Sequence, residues 1–118
     1  MVGIPQTDPY ANYCAHKDDI DVAMTRVLDS GRYIMGEEVS SFEKEFAEYV
    51  GVNYASGVAS GTDALELALR ACGVGLDTIV FTVSHTAVAT VAAIERTGAE
   101  AILIDIDPDT YNMDVRCL

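Results

Sequence analysis

The chain has 118 residues, half of them hydrophobic, with 7 Lys plus Arg against 19 Asp plus Glu and a formal charge of −12. This is enough chain for one domain with a buried core, and the composition is not that of a disordered segment. The acidic balance argues against a charge-driven grip on nucleic acid, so an anionic small ligand must be held locally. No cationic segment and apolar stretch follow Met1, and no apolar run of about 18 residues occurs, which points to a cytoplasmic protein outside the export and membrane classes. Cys14, Cys72 and Cys117 lie far apart without a Cys-x-x-Cys pair, so they read as buried or incidental free thiols rather than a disulfide framework or a metal site.

In chain order, Ile20, Ala23, Met24, Val27 and Leu28 recur at helical spacing behind Asp18 and Asp19, and Gly31 closes the pattern. A second helix is expected from Ser40 or Ser41 to Gly51, with Phe42, Phe46 and Tyr49 packing into the core opposite a charged face. After Gly51 the texture changes. A short strand-like run, Tyr54 to Val58, leads into a helix over about Thr62 to Cys72. TIVFTV, Thr78 to Val83, reads as a buried strand. Thr86 to Thr97 reads as an alanine-rich helix, and AILIDI, Ala101 to Ile106, as another strand. Strands alternating with helices indicate βαβ units and a parallel sheet, so the expected class is α/β. One partial domain is expected, with residues 1–51 a helical segment and residues 52–118 a βαβαβ unit. No helix follows the last strand to cover the sheet, which suggests the opening portion of a larger protein.

The junction Ser60-Gly61-Thr62-Asp63 lies between an apolar run and an amphipathic helix. Ser60 at the N-cap and Asp63 three residues later have the spacing of a capping box, with Asp in place of Glu or Gln. Gly61 is unhelpful to a first helical turn unless something approaches the backbone closely. Unpaired N–H groups, a partial positive charge and the hydroxyls of Ser60 and Thr62 suit a phosphate monoester. Helix capping alone and phosphate binding both remain open on these residues.

Other motifs are poorer fits. Gly73-Val74-Gly75 lacks the third glycine of a dinucleotide fingerprint and precedes a strand, and neither Lys17 nor Lys44 adjoins a glycine as a P-loop requires. Asp105, Asp107 and Asp109 lack the glycine and glutamate of a calcium loop. Asp105 and Asp107 after a strand also allow an aspartyl-phosphatase reading, set against a simple strand end before a Pro turn. A second strand-to-helix junction, Ser84-His85-Thr86, falls on the same sheet edge as Ser60 to Asp63, where ligands of open α/β sheets collect. His85 there can stack on or hydrogen-bond a flat ligand, or serve as an ordinary turn residue.

Four successive blocks, LDSGRYIMGEEVSSFEKEFAEYVGV, GVASGTDALELALRACGVG, TVSHTAVATVAAIERTGA and IDIDPDTYNMD, closely resemble the N-terminal part of the DegT/DnrJ/EryC1/StrS sugar aminotransferases. The resemblance runs from about Ile4 to Asp114. It implies the N-terminal part of the large domain of the aspartate-aminotransferase-type (fold type I) pyridoxal-phosphate fold, a mostly parallel sheet with flanking helices. It also implies a homodimer that transfers an amino group from glutamate to a nucleotide-linked keto-deoxysugar. By the same resemblance Gly61, Thr62 and the backbone of Asp63, with Ser60 beside them, hold the phosphate of pyridoxal 5'-phosphate. Ser84 to Thr90 matches the segment that carries a residue over the pyridine ring. Many relatives have an aromatic residue where Ala87 stands, which leaves the ring contact to His85 or to another residue. Gly31 to Gly36, with Tyr33, matches a loop near the family's active site. The family's catalytic lysine and the Asp that pairs with the pyridinium nitrogen lie downstream of these blocks, so no catalytic residue is expected within the 118 and the chain alone is expected not to transaminate. A non-catalytic binding or assembly module is the alternative from another class.

Overall fold

The computed structural model describes residues 5–118, so the start of the resemblance at Ile4 and the reading of Met1 lie outside the described residues. The chain forms two compact units that divide after Gly57.

The first unit is helical. Helix α1, Pro9–Ala15, starts where Asp8 accepts the Ala11 N–H at 2.9 Å and Pro9 occupies the first turn. An Asp cap followed by Pro is a start signal that the apolar periodicity from Ile20 passes over. Helix α2, Lys17–Ser30, therefore begins earlier than that pattern and ends on left-handed Gly31. Asp21 ties the two helices by accepting from the Tyr13 hydroxyl at 2.9 Å and pairing with Lys17. Lys17 and Tyr13 together hold the Asp21 carboxyl below its ordinary value. Helix α3, Glu37–Val50, starts three residues or more before the expected Ser40 or Ser41, because Gly36 makes the cap and Glu37 and Glu38 favour the positive helix start. A Cβ on Gly36 would lie 2.9 Å from the Arg32 carbonyl oxygen, so the tight entry to α3 requires glycine.

In the second unit, helix α4, Gly61–Ala71, is followed by strand β1, Ile79–Val83, helix α5, Val88–Thr97, and strand β2, Glu100–Ile104. The two strands pair in parallel, Phe81 opposite Ile102 and Val83 opposite Ile104, and α5 is their crossover. This is the α/β architecture expected from the alternating pattern. The run Tyr54 to Val58 corrects that expectation in one respect. It has no ladder partner among the described residues and forms no strand, because extended backbone becomes a strand only by pairing its N–H and C=O groups. Two paired strands thus stand where three were expected. Helix α5 starts at Val88 instead of Thr86, since Ala87 stays extended as a cap and offers no side-chain acceptor. Left-handed Gly98 ends α5 at φ 90°, and a Cβ there would approach Leu76 Cδ2 to 3.0 Å, so both backbone and space call for glycine.

Among the described residues the fully buried apolar set is small: Ala47, Ala93, Ile94 and Ala99. Buried Thr97 satisfies itself by donating to the Ile94 carbonyl at 2.7 Å and accepting the Ala99 N–H. The aromatic face expected to pack into the core does not: Phe42 and Phe46 stack on each other at 5.6 Å but remain about half exposed, and Tyr49 is 88 % exposed. No described element covers that face. The three cysteines are free and exposed rather than buried, and no helix of the described residues is long and apolar enough to cross a membrane.

After β2, Ile106 bridges Met113 in antiparallel fashion and closes a tight loop, and a 3-10 turn, Val115–Cys117, ends the chain. Arg116 donates side-chain and backbone hydrogen bonds to the Asp114 carboxylate, which lowers its pKa from 3.8 to about 2. A depressed carboxyl contributes stability that is complete above the ordinary value and is lost as pH falls through about 2. An NMR titration of the Asp114 carboxyl should therefore show a midpoint near 2, and Arg116→Ala should return it towards 3.8. A wild-type midpoint already at the ordinary value would show that the pair does not form in solution.

Candidate functional site

The start of α4 is built from its cap. Ser60 is extended, its Oγ accepts the Asp63 N–H at 3.2 Å, and its hydroxyl donates to the Asp63 carboxylate at 2.8 Å. In a capping box the acid would instead accept the N–H of the cap residue itself. Here the carboxylate accepts a hydrogen bond from the hydroxyl, so one reciprocal pair fixes the Ser60 rotamer and the Asp63 side chain together. Such caps contribute about 1 kcal/mol to a helix.

Two donors of the first turn remain. The N–H groups of Gly61 and Thr62 meet no protein acceptor among the described residues, and the Thr62 hydroxyl makes no hydrogen bond there either. A Cβ on Gly61 would meet nothing within 4 Å, and its φ is not positive, so neither crowding nor backbone conformation explains the glycine. It leaves the backbone donors open to an approaching group. The Asp63 N–H, by contrast, is engaged by its own cap.

A carboxylate beside such a turn would repel an anion, and the structure compensates for it. From α5, Arg96 Nη1 lies 3.4 Å from Asp63 Oδ1 and 3.8 Å from Glu66 Oε2. Arg70 pairs with Glu66 at 2.9 Å and donates to the Arg96 carbonyl at 2.5 Å. The four charges form a chain from α4 to α5, worth little as stability because the groups are partly exposed. Their effect is local: Asp63 carries a cationic partner and a hydroxyl donor, so the helix start keeps its partial positive charge. In the sequence Arg96 is marked only as a basic residue in the last turn of a helix.

The second junction lies at the carboxyl end of β1. Ser84, His85 and Thr86 are exposed, and Thr86 and Thr90 share a hydroxyl hydrogen bond at 2.9 Å. His85 stacks at a tilt on Tyr111, with ring centroids 5.7 Å apart. Tyr111 comes from the loop after β2, which the sequence offered as an acidic cluster, as a Pro turn and as the last of the four family blocks. In that loop one Asp107 oxygen accepts the N–H groups of Asp109 and Thr110 at 2.9 and 3.0 Å and lies 3.3 Å from the Thr110 hydroxyl. Asp107 is thus the former of a turn. That turn accounts for one Asp107 oxygen in the way expected of a simple strand end before a Pro turn. Among the described residues no cluster of His, Cys, Asp and Glu is placed to hold a metal ion.

The first unit has a cavity of about 500 Å³ lined by Arg26, Ser30, Arg32, Glu37, Glu38 and Glu45 among others. Arg26 is already paired with Glu38 at 2.7 Å, so the lining presents mixed charge instead of one field. Tyr33, singled out in the glycine-bounded loop, is exposed.

The family model of the DegT/DnrJ/EryC1/StrS aminotransferases matches residues 15–118. The chain belongs to that family. It is 46 % identical over 99 residues to the dTDP-3-amino-3,6-dideoxy-alpha-D-galactopyranose transaminase of Aneurinibacillus thermoaerophilus, covering 84 % of this chain and 27 % of that one. It superposes on a DegT/DnrJ/EryC1/StrS aminotransferase from Brucella abortus with a TM-score of 0.88 at 38 % identity, over 97 % of this chain and 31 % of the other. NtdA of Bacillus subtilis, a structure with bound cofactor PMP, matches with a TM-score of 0.81 at 30 % identity, over 88 % of this chain and 24 % of that one. The chain thus has the fold of the first part of a type I pyridoxal-phosphate aminotransferase, and pyridoxal phosphate is the family's cofactor. It spans under a third of the length of the relatives it matches.

The donors at Gly61 and Thr62 fit the cofactor's phosphate: two free N–H groups, a hydroxyl and space beside the glycine, at the positive end of an 11-residue helix.

Proposed function

We propose that this chain supplies the phosphate-binding part of the cofactor site in an aminotransferase that moves an amino group from glutamate to a nucleotide-linked keto-deoxysugar. The enzyme works in the cytoplasm as a homodimer. One observation carries the reading: the unaccepted N–H groups of Gly61 and Thr62 at an open helix start, in a chain of this family. Pyridoxal phosphate, when bound, supplies the electron sink that transamination requires. The residues of this chain bind and orient. Gly61 and Thr62 donate N–H groups to phosphate oxygens, and the Thr62 hydroxyl adds a third donor. Ser60 keeps the turn in shape through Asp63, Arg96 offsets the Asp63 charge, and the His85 ring faces the pyridine. Proton transfer at the reacting carbon belongs to a lysine that these 118 residues do not contain, since Lys17 and Lys44 lie on helices α2 and α3, away from either junction in the sequence.

The test compares pyridoxal phosphate with pyridoxal, which lacks the phosphate, by spectroscopic titration of the complete enzyme. It is followed by incubation with glutamate and a nucleotide-linked keto-sugar. Binding of pyridoxal phosphate at least about 100-fold tighter, as expected of several charge-assisted hydrogen bonds, together with an amino-sugar product, supports the reading. Equal affinity for the two compounds would sink the phosphate cradle, and absence of the amino sugar would sink the reaction. The 118-residue chain alone should form no amino sugar.

A further inference from the structure

We propose that Tyr111 is a positioning residue that holds the His85 imidazole at the carboxyl end of β1 for contact with the cofactor ring, an inference that rests on the site reading above. Three observations lead to it. The rings of His85 and Tyr111 are 5.7 Å apart at 36°, within the range of attractive aromatic pairs. The Tyr111 backbone has φ 59°, a left-handed conformation that is unfavourable for a bulky residue and that glycine or asparagine adopts readily. The loop is braced to impose it. Tyr111 donates its N–H to the Asp107 carbonyl at 2.8 Å, Asp107 donates to the Asn112 carbonyl at 2.8 Å, and Asp114 donates to the Asp105 carbonyl at 2.9 Å. Ile106 and Met113 pair across its base, and the Asp107 carboxylate gathers the intervening N–H groups.

A turn alone would be served better by asparagine at this position, so the tyrosine ring is the feature that the strained backbone supports. That ring touches His85, one residue of a junction whose own helix cap, Ala87, makes no side-chain hydrogen bond. Without Tyr111 the exposed imidazole would sample several rotamers and pay their entropy on meeting a ligand. Tyr111 acts through His85 and needs no contact with the cofactor itself.

Two substitutions separate ring from loop. Tyr111→Asn keeps a residue suited to the left-handed backbone and removes the ring, whereas Tyr111→Phe keeps the ring. In the complete enzyme, Tyr111→Asn should weaken pyridoxal phosphate binding about fivefold, the size of one aromatic contact, and Tyr111→Phe should stay within about twofold of wild type. His85→Ala should weaken binding at least as much, and adding Tyr111→Asn to it should weaken binding no further, since coupled residues are non-additive. NMR of the cofactor-free protein supplies an independent readout: the His85 ring protons should lose a ring-current shift in Tyr111→Asn and keep it in Tyr111→Phe. If His85→Ala weakens binding while Tyr111→Asn changes neither affinity nor the His85 resonances, the positioning role is wrong and the site reading stands. If His85→Ala leaves cofactor affinity unchanged, the site reading at His85 fails and takes the proposal with it.

Discussion

Gly61→Asp in the complete enzyme should weaken pyridoxal phosphate binding by at least about 100-fold without lowering the melting temperature. A Cβ at this position would meet nothing within 4 Å, so the substitution begins in open space. It would sit in the first turn of α4, where a carboxylate interacts favourably with the helix dipole and replaces a residue of poor helix propensity. Both effects favour the fold. For a phosphate at the same turn the sign reverses. At about 5 Å and an effective dielectric constant of about 20, each unit of like charge costs about 3 kcal/mol, or roughly a hundredfold in affinity. A variant that loses cofactor and keeps its melting temperature in the cofactor-free form would confirm that Gly61 is retained for the ligand. Unchanged affinity for pyridoxal phosphate would mean that the phosphate binds elsewhere.

The second large effect falls on stability. Ile94 is 2 % exposed and is the one large side chain that is fully buried among the described residues, on the α5 turn beside Ala93. Ile94→Ala should cost about 2–5 kcal/mol, through lost transfer energy and the cavity left behind. Ile94→Val should cost about 0.5–1.5 kcal/mol. The other buried apolar residues of the same unit are only Ala93 and Ala99, so little neighbouring side-chain volume can collapse into the gap. Denaturant unfolding of the complete enzyme, compared at the midpoint for the two variants, measures the difference. A loss below about 1 kcal/mol for the alanine variant would show that α5 is not packed as described.

These two positions also show what was legible beforehand. Gly61 attracted attention because glycine is a poor first-turn residue, and the structure removes the remaining local explanations: no positive φ and no close neighbour. Ile94 was one apolar letter in a helix otherwise rich in alanine, and nothing in its spacing marked it as more buried than Val88, which is 84 % exposed. Helix α1 carries no apolar periodicity, since none of its residues is buried, and only Asp8 and Pro9 spell its start. The run Tyr54 to Val58 had strand composition without a partner, and composition does not supply a hydrogen-bonding neighbour. Arg96 and Tyr111 were invisible because each acts on a residue distant in the chain, 33 positions away for Arg96 and Asp63.

By itself the sequence determined the parallel α/β class, the strand-to-helix junction after β1, the cap at Ser60 and, through four motif blocks, the family. These are local properties: alternation, capping geometry and turn residues act over a few positions, where the order of the letters is already the physics. Only the tertiary structure decided which hydrogen-bonding groups remain available. It engaged the Asp63 N–H and carboxylate, left the donors of Gly61 and Thr62 open, committed Asp107 to a turn, and brought Tyr111 onto His85. Those outcomes depend on β2 lying beside β1 and α5 packing on α4, so that a residue's partners are set by the crossover of the chain and not by its neighbours in sequence.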